Sequence, residues 1–311
     1  MKCICPLCKE RCEKSTEVIK TDLLVNLWKK RTFEVASLFL GLDKITKFDC
    51  KKCGLGFYDP KIAGDNDFYS KLAKEEWYYL HEDKSEFTFT NALIQENNSV
   101  VDIGSGRGAF TKYIDKKVDY TGLELSSDAV KFAQTDNLNV TEQTIERYSE
   151  GNKSKHEFAV AFQVLEHIEN VDSFIQSTRK VLKPNGMLII AVPNNDSFIR
   201  YAPNNLLNLP PHHLLHWNEQ SLRYMADKYD FEVVDVFKEK VTNVHRNWFY
   251  FIFVNKYLMK LLGFRNKSLH ENLYVRIIRK LSVFISLPLR FTNLHKNKDG
   301  HTIIIALRKC G

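Results

Sequence analysis

Four cysteines near the start of the chain form two Cys-x-x-Cys pairs, Cys5-Pro6-Leu7-Cys8 and Cys50-Lys51-Lys52-Cys53. A tight turn can aim two thiolates with this spacing at one ion, and two such turns complete a tetrahedral four-sulfur site for Zn²⁺. Gly54 lets the backbone turn sharply after the second pair. A shell filled by four protein ligands suits a structural ion, so a structural zinc on Cys5, Cys8, Cys50 and Cys53 is expected. Cys3 and Cys12 lie close enough in sequence to stand in for Cys5 or Cys8 and are read as free thiols. A disulfide framework belongs to small secreted chains and does not suit a chain of 311 residues. The 41 residues between the pairs must hold structure of their own, and the apolar periodicity of Leu23–Phe39 fits a helix or a strand pair.

A second group of residues points to a nucleoside-like ligand. Ser99–Ile103 is a short apolar run that reads as a buried strand, followed by Gly104, Gly106 and Gly108 and then by a helix start at Ala109–Ile114. Strand, glycine loop and helix in this order bring bare backbone to a ligand beside a helix N-terminus. The spacing is Gly-x-Gly-x-Gly after Asp102, which differs from the Gly-x-Gly-x-x-Gly of dinucleotide dehydrogenases. Glu124 ends a second strand 20 residues after Gly104, where a carboxylate can accept both ribose hydroxyls. Asp102 is placed to hold the loop or to meet a ligand's ammonium group.

The run Val100–Gly108 followed by Glu124 resembles motifs I and II of class I S-adenosylmethionine (SAM) dependent methyltransferases. Phe158–His167, with its Leu-Glu-His ending, resembles the family's fourth strand and its continuation. Val181–Gly186 resembles the turn before the fifth strand, Met187–Val192, which ends in Pro193-Asn194; Phe231–Phe237 and His301–Leu307 supply the last two strands. The resemblance implies an α/β fold: a Rossmann-like seven-stranded sheet with a small N-terminal zinc-binding module and a helical C-terminal insertion. It implies SAM as cofactor, with Asp102, Gly104, Gly106, Gly108, Glu124 and Gln163 as its binding residues. The expected organisation is a zinc-ribbon-like module at 1–60, a helical connector at 61–98 and a methyltransferase domain at 99–311, with a basic amphipathic insertion at 240–299. In the connector, Phe68, Leu72 and Trp77–Leu80 form an aromatic cluster that fits a packed helix, and Tyr78 or Tyr79 could close over the cofactor. Two family acids are missing. Ala159 stands where the fourth strand opens with an acid, and Thr144 or Ile145 stands where the third ends in one.

Methyl transfer is an in-line displacement that needs alignment, plus a base where the nucleophile carries a proton. In open α/β sheets ligands bind at the C-terminal strand ends. Glu166 and His167 follow the fourth strand, and Pro210-Pro211-His212-His213-Leu214-Leu215-His216-Trp217 lies beyond the fifth. Histidine titrates near neutrality, so His213 or His212 is the expected base, with His167 as the alternative. The competing view is a helix entry at Trp217–Leu222 that these histidines merely cap or pack. A metal site on the histidines is disfavoured because the loop holds no carboxylate at ligand spacing. No cysteine lies between Cys53 and Cys310, which excludes a cysteine-nucleophile route.

The zinc-ribbon start, the Leu-Glu-His and Val-Pro-Asn segments, the His-rich loop and the insertion together resemble bacterial methyltransferases of sugar and surface-polysaccharide pathways. That implies O-methylation of a glycan or lipid-linked sugar. An RNA methyltransferase and a non-catalytic SAM-binding scaffold are the alternatives. The net charge of +7 is unevenly spread: residues 241–311 carry 13 Lys and Arg against 2 Asp and Glu, and the remainder is slightly acidic. In the insertion, Trp248–Leu262 and Tyr274–Phe291 mix aromatic and aliphatic residues with Lys and Arg. That pattern suits a helix lying in a membrane interface, a subdomain packed on the core, or the contact of a homo-oligomer; it is more apolar than most nucleic-acid surfaces. No apolar run reaches the roughly 20 residues that span a bilayer, and the start does not read as a signal peptide. A cytoplasmic protein, with peripheral contact at the inner face of the membrane as an option, is expected.

Overall fold

The computed structural model describes residues 3–75, 84–265, 267–270 and 272–311. Tyr78 and Tyr79 lie outside the described residues. The chain opens with a small hairpin, β1 (Cys3–Ile4) against β2 (Arg11–Cys12), which sets Cys3 directly opposite Cys12. β3 (Glu17–Lys20), β4 (Lys44–Asp49) and β5 (Gly56–Asp59) then form an antiparallel sheet. Between β3 and β4, the periodic segment forms α1 (Thr21–Arg31) and a 3₁₀ turn at Ala36–Phe39. α1 carries Asp22 in its first turn and Lys29, Lys30 and Arg31 in its last, each opposing the local end of the helix dipole. Its buried Leu24, Leu27 and Trp28 follow the three-to-four-residue spacing of one helical face.

This first layer is completed from elsewhere in the sequence. β11 (Leu215–His216) pairs antiparallel with β5, so the loop holding His212 and His213 runs straight into the N-terminal sheet. The indole of Trp28 donates to the Pro210 carbonyl at 2.9 Å, and Arg31 donates to that of Asn204 at 2.9 Å. α2 (Asn66–Leu72) is capped by Asp65, whose side chain accepts from Phe68 N. It buries Phe68 edge-on against Trp28 and turns Tyr69 toward the same loop.

The central sheet has seven strands in the order β12-β13-β10-β9-β6-β7-β8. Its parallel part is β6 (Ser99–Ile103), β7 (Asp119–Glu124), β8 (Val140–Glu142), β9 (His156–Phe162) and β10 (Leu182–Pro193). β12 (Phe231–Lys240) and β13 (Asp299–Lys309) close one edge, with β13 antiparallel to both neighbours. Every residue of β6 is buried, as is Ile303–Leu307 of β13, because both faces of these strands are covered. The covering helices are α3 (Ser85–Asn91), α4 (Ser127–Thr135), α5 (Ile145–Gly151), α6 (Val171–Val181) and α7 (Glu219–Lys228). Ser126, Thr144, Asn170 and Asn218 cap the last four with side-chain oxygens. This is the Rossmann-like methyltransferase sheet, with its order reversing between β6 and β9, where open α/β sheets bind ligands. One local difference follows the glycine loop: Ala109–Lys112 forms a single 3₁₀ turn where a longer helix start was expected.

Between β12 and β13 the basic insertion forms α8 (Asn243–Leu261), α9 (Leu273–Ser286) and a 3₁₀ turn at Pro288–Phe291. One side of α8 packs Phe249, Tyr250 and Ile252 on Phe198 and Ile199, and α9 adds Val275 and Ile278 against Met259. The opposite side leaves Leu261, Leu273, Tyr274, Phe284 and Phe291 exposed. No helix among the described residues is long and apolar enough to cross a membrane.

Candidate active site

The glycine loop is tied to the end of β7. Gly104 N and Ser105 N both donate to the Leu123 carbonyl, at 2.8 and 3.0 Å. Gly106 N donates to Glu124 Oε2 at 2.9 Å, while Glu124 Oε1 accepts from Leu125 N and Ser126 N. Gly104, Gly106 and Gly108 all take left-handed φ values, of 72, 56 and 78°. They serve different ends. A Cβ on Gly104 would meet Val164 at 2.5 Å and one on Gly108 would meet Leu138 at 2.4 Å, whereas one on Gly106 would meet nothing within 4 Å. Gly106 therefore faces open space beside Glu124. Asp102 is buried below the loop and accepts from the Tyr120 hydroxyl at 2.8 Å. Burial pushes its carboxyl up to about 7, against the opposing pull of that hydrogen bond.

The Val164 that touches Gly104 belongs to the turn after β9, so the loop and the next cluster are neighbours. Gln163 opens this turn with a φ of 57°, unusual for a residue with a side chain, and its carboxamide donates to Glu86 at 3.3 Å. Leu165–His167 follow as one 3₁₀ turn. His167 Nδ1 lies 2.5 Å from the His212 carbonyl and 3.2 Å from the Tyr69 hydroxyl. His212 Nδ1 lies 2.9 Å from the Leu207 carbonyl, and His213 Nδ1 lies 3.2 Å from Asn208 Oδ1. The three rings are 4.5 to 4.9 Å apart, and one ring nitrogen from each lies within 4.8 Å of the others.

Glu166 Oε1 is 3.8 Å from His213 Nε2 and 3.9 Å from His167 Nε2. Glu166 is 1% exposed, and neither carboxyl oxygen has a hydrogen-bond partner. Burial pushes this carboxyl up to about 8. Burial drives the imidazoles the other way: His167 down to about 4, and His212 and His213 well below the ordinary histidine range. The near-neutral histidine loop expected from the sequence is thus a buried cluster of imidazoles whose basicity is lowered by desolvation. The third loop histidine, His216, lies apart in β11, bonded to the Asn208 carbonyl at 3.0 Å. The expected helix entry is present: Asn218 and Ser221 form a reciprocal capping box on α7. The histidines precede that cap and take no part in it.

Residues 75–236, about half of the chain, match the methyltransferase-domain family. The chain belongs to that family. Its fold is that of a class I SAM-dependent methyltransferase: a SAM-dependent methyltransferase from Archaeoglobus fulgidus superposes with a TM-score of 0.51 at 16% identity, covering 78% of this chain and 100% of that one. Among curated proteins, the ubiquinone biosynthesis O-methyltransferase of Pectobacterium carotovorum is 23% identical over 105 residues, 32% of this chain and 44% of the relative. The Glaesserella parasuis protein of the same name is 29% identical over 116 residues, 34% of this chain and 48% of the relative. The chain matches less than half the length of either relative.

In this methyltransferase fold, Asp102, the three glycines, Glu124 and Gln163 all lie along the C-terminal ends of β6, β7 and β9. His167, His212 and His213 come together beside them. Tyr69, Glu166 as an orphaned carboxyl, and Asn208 complete the cluster. Nothing in their spacing announces them, since only the fold brings α2, the β9 turn and the His loop to one place. Tyr69 is partly buried; desolvation raises its hydroxyl above the ordinary range, the charges of Glu166 and Glu124 add to this, and so it bridges the cofactor side and the histidine side.

The four expected metal-ligating cysteines also converge. Cys5 Sγ is 3.6 Å from Cys53 Sγ, and Cys8 Sγ is 3.4 Å from Cys50 Sγ. All four sulfurs lie within 4.8 Å of one another. A zinc tetrahedron with Zn–S bonds near 2.3 Å has edges of about 3.8 Å, so the donor set fits that ion. Both pairs sit in tight turns, with Lys9 N bonded to the Cys5 carbonyl and Gly54 N to that of Cys50. Gly54 has a φ of 78°, and a Cβ there would lie 2.7 Å from Gln220 Oε1. The hydrogen bond with Cys53 holds the Cys5 thiol down at about 5, whereas burial pushes Cys8 up to about 11. Cys3 and Cys12 stand outside the set as a cross-strand pair of free cysteines.

Proposed function

We propose that the protein transfers a methyl group from SAM to a hydroxyl of a sugar in a glycan or surface-polysaccharide pathway, with a structural zinc on Cys5, Cys8, Cys50 and Cys53. The observation that carries this reading is the contact of Gly104 with Val164, which brings the buried cluster of Glu166, His167 and His213 beside the cofactor loop. SAM supplies an electrophilic methyl on a cationic sulfonium. Glu124 and the open backbone at Gly106 bind the nucleoside end, and Asp102 supports the loop from beneath.

A hydroxyl acceptor must lose its proton as its oxygen is methylated. An oxygen acceptor on Asn208 makes Nδ1 of His213 the protonated nitrogen and leaves Nε2 as a proton acceptor. Glu166, 3.8 Å from that nitrogen, is positioned to stabilise the protonated ring once it has lost its own proton. The names of the curated relatives favour oxygen as the methylated atom. The insertion supports a lipid-linked form of the acceptor: its exposed Tyr257, Leu261, Tyr274 and Phe284 lie among Lys256, Lys260, Arg276 and Lys280.

Calorimetric titration with SAM, on the wild type and on Glu124→Ala, tests the cofactor half. The variant should bind about 10- to 100-fold more weakly, the loss expected for hydrogen bonds to a charged group; equal affinity overturns the assignment. Labelled SAM offered with cell-envelope sugars, lipid-linked sugars, quinone precursors and RNA tests the acceptor. Label on a sugar oxygen is expected. Label confined to quinone precursors or to RNA would overturn the sugar and leave methyl transfer standing.

A further inference from the structure

We infer that Glu166, His167, His212 and His213 form a binding site for one divalent transition-metal ion, separate from the cysteine site. Each histidine presents Nδ1 to an oxygen that can only accept at that contact: the His212 carbonyl, the Leu207 carbonyl and Asn208 Oδ1. The Asn208 carboxamide is oriented by its own donation to Asn195 Oδ1 at 3.2 Å. These contacts favour the Nδ1–H form, in which the Nε2 atoms of His167 and His213 face Glu166 with their lone pairs. Metal-binding histidines are held in this way, by an oxygen acceptor on the far ring nitrogen.

Two of those Nε2 atoms lie 3.8 and 3.9 Å from Glu166 Oε1. Ligands 2.0–2.1 Å from a tetrahedral ion are separated by about 3.3 Å, so roughly half an ångström of closure brings these atoms to coordination distance. Glu166 is the second, independent sign. Both its oxygens are buried without a partner, and buried polar atoms in native structures are almost always satisfied. One proton could join one pair of these acceptors; a divalent cation satisfies Glu166, His167 and His213 together, with one ring nitrogen of His212 within 4.8 Å of those of His167 and His213. Three imidazoles and one carboxylate suit zinc, iron, cobalt or manganese, whereas magnesium and calcium prefer all-oxygen shells. The carboxylate that the His loop lacks in sequence comes from the turn after β9.

The site stands on its own geometry. Its use rests on the methyl-transfer reading: beside the cofactor loop, the ion would take an acceptor oxygen as a further ligand and lower its pKa, the part otherwise played by His213.

The test uses the full chain, purified with zinc, dialysed against a mild chelator and titrated with Co²⁺ and no SAM. Wild type should take up about one Co²⁺ per chain with the visible absorption of a nitrogen- and oxygen-ligated ion and no thiolate charge-transfer band. Total metal should approach two per chain. Glu166→Gln, close in shape, and His213→Gln should each weaken Co²⁺ binding at least tenfold while keeping the cysteine-bound zinc. A wild type that binds no Co²⁺ beyond the cysteine site overturns the proposal. So does unchanged binding in both folded variants. If both variants misfold, the wild-type cobalt spectrum decides by its ligand signature. SAM calorimetry on the same samples keeps the two readings apart. SAM binding without a second metal sinks this site alone, and a second metal without SAM binding sinks the methyltransferase reading alone.

Discussion

The cysteine cluster and the histidine cluster both gather four lone-pair donors, yet the chain builds them in opposite ways. The cysteines sit on two short turns whose geometry is local, closed by bonds such as Gly54 N to the Cys50 carbonyl. Their surroundings are apolar, with Leu7, Phe48, Leu55 and Phe57 fully or almost fully buried around them. The histidines sit on two loops 45 residues apart, and carbonyl and carboxamide groups orient their rings. In the first cluster two local turns gather the thiols. In the second a finished fold gathers the side chains, next to the glycine loop.

The sharpest way to break this contrast is to remove one donor from each cluster and ask what is lost. Cys53→Ser should cost the N-terminal layer its fold, because a structural zinc contributes about 10 kcal/mol or more and whole domains are stable by only about 5–15 kcal/mol. Since β11 pairs with β5, the loss should spread to the His loop. Metal analysis and circular dichroism would record zinc loss with a lowered or absent melting transition. A Cys53→Ser protein that melts like wild type would deny the cysteines their structural role.

His213→Gln is the matching change on the other side, and its expected effect falls on rate. Loss of a positioned proton acceptor should lower kcat by about 10²-fold or more. The melting temperature should stay within a few degrees, since His213 carries no strand pairing and glutamine keeps a polar side chain of similar size there. Stopped-time methyl-transfer assays beside thermal melts separate the two. A variant that unfolds while Cys53→Ser stays folded would invert the comparison.

The same contrast explains how much could be read from the sequence. The seven-stranded sheet was legible because its strands are continuous apolar runs with turn residues between them, and because the glycine spacing and Glu124 are local marks. The cysteine pairs were legible for the same reason. Glu166 was not, as an orphaned carboxyl, because its burial depends on Leu214 N bonding the Glu166 carbonyl and on the His loop closing over it. The low basicity of His212 and His213 was hidden too, since residue type gives an unperturbed value and only packing supplies the desolvation. Linear order does not show how the N-terminal layer is joined to the rest: Trp28 reaches Pro210 and β5 takes β11 as its partner, contacts between residues more than 150 positions apart.

The smallest effect tests how the cysteine turn is fastened to the central domain. Asp172 on α6 forms ion pairs with Lys9, between the first cysteine pair and Cys12, and with Lys228 on α7 at 2.6 Å. Lys228 also donates to the Leu7 carbonyl at 2.8 Å, inside the Cys-x-x-Cys turn, and Tyr229 donates to the same carboxylate. Burial pushes the Asp172 carboxyl up, but the hydrogen bonds from Lys228, Lys9 and Tyr229 outweigh it and hold the group at about 2. A carboxyl held below its unfolded value stabilises the fold above that value and loses its contribution as pH falls through the folded one. Asp172→Asn should therefore lower stability by about 1 kcal/mol at neutral pH, a modest figure because the side chain is partly exposed and the ions are screened. The gap between wild type and variant, followed by urea unfolding, should narrow between about pH 4 and pH 2. Zinc release to a chelator should quicken in the variant, while SAM affinity and the histidine cluster stay unchanged. If SAM affinity falls with zinc retention, the cysteine turn and the active site are coupled through α6 and α7, and the two clusters are less independent than their construction implies.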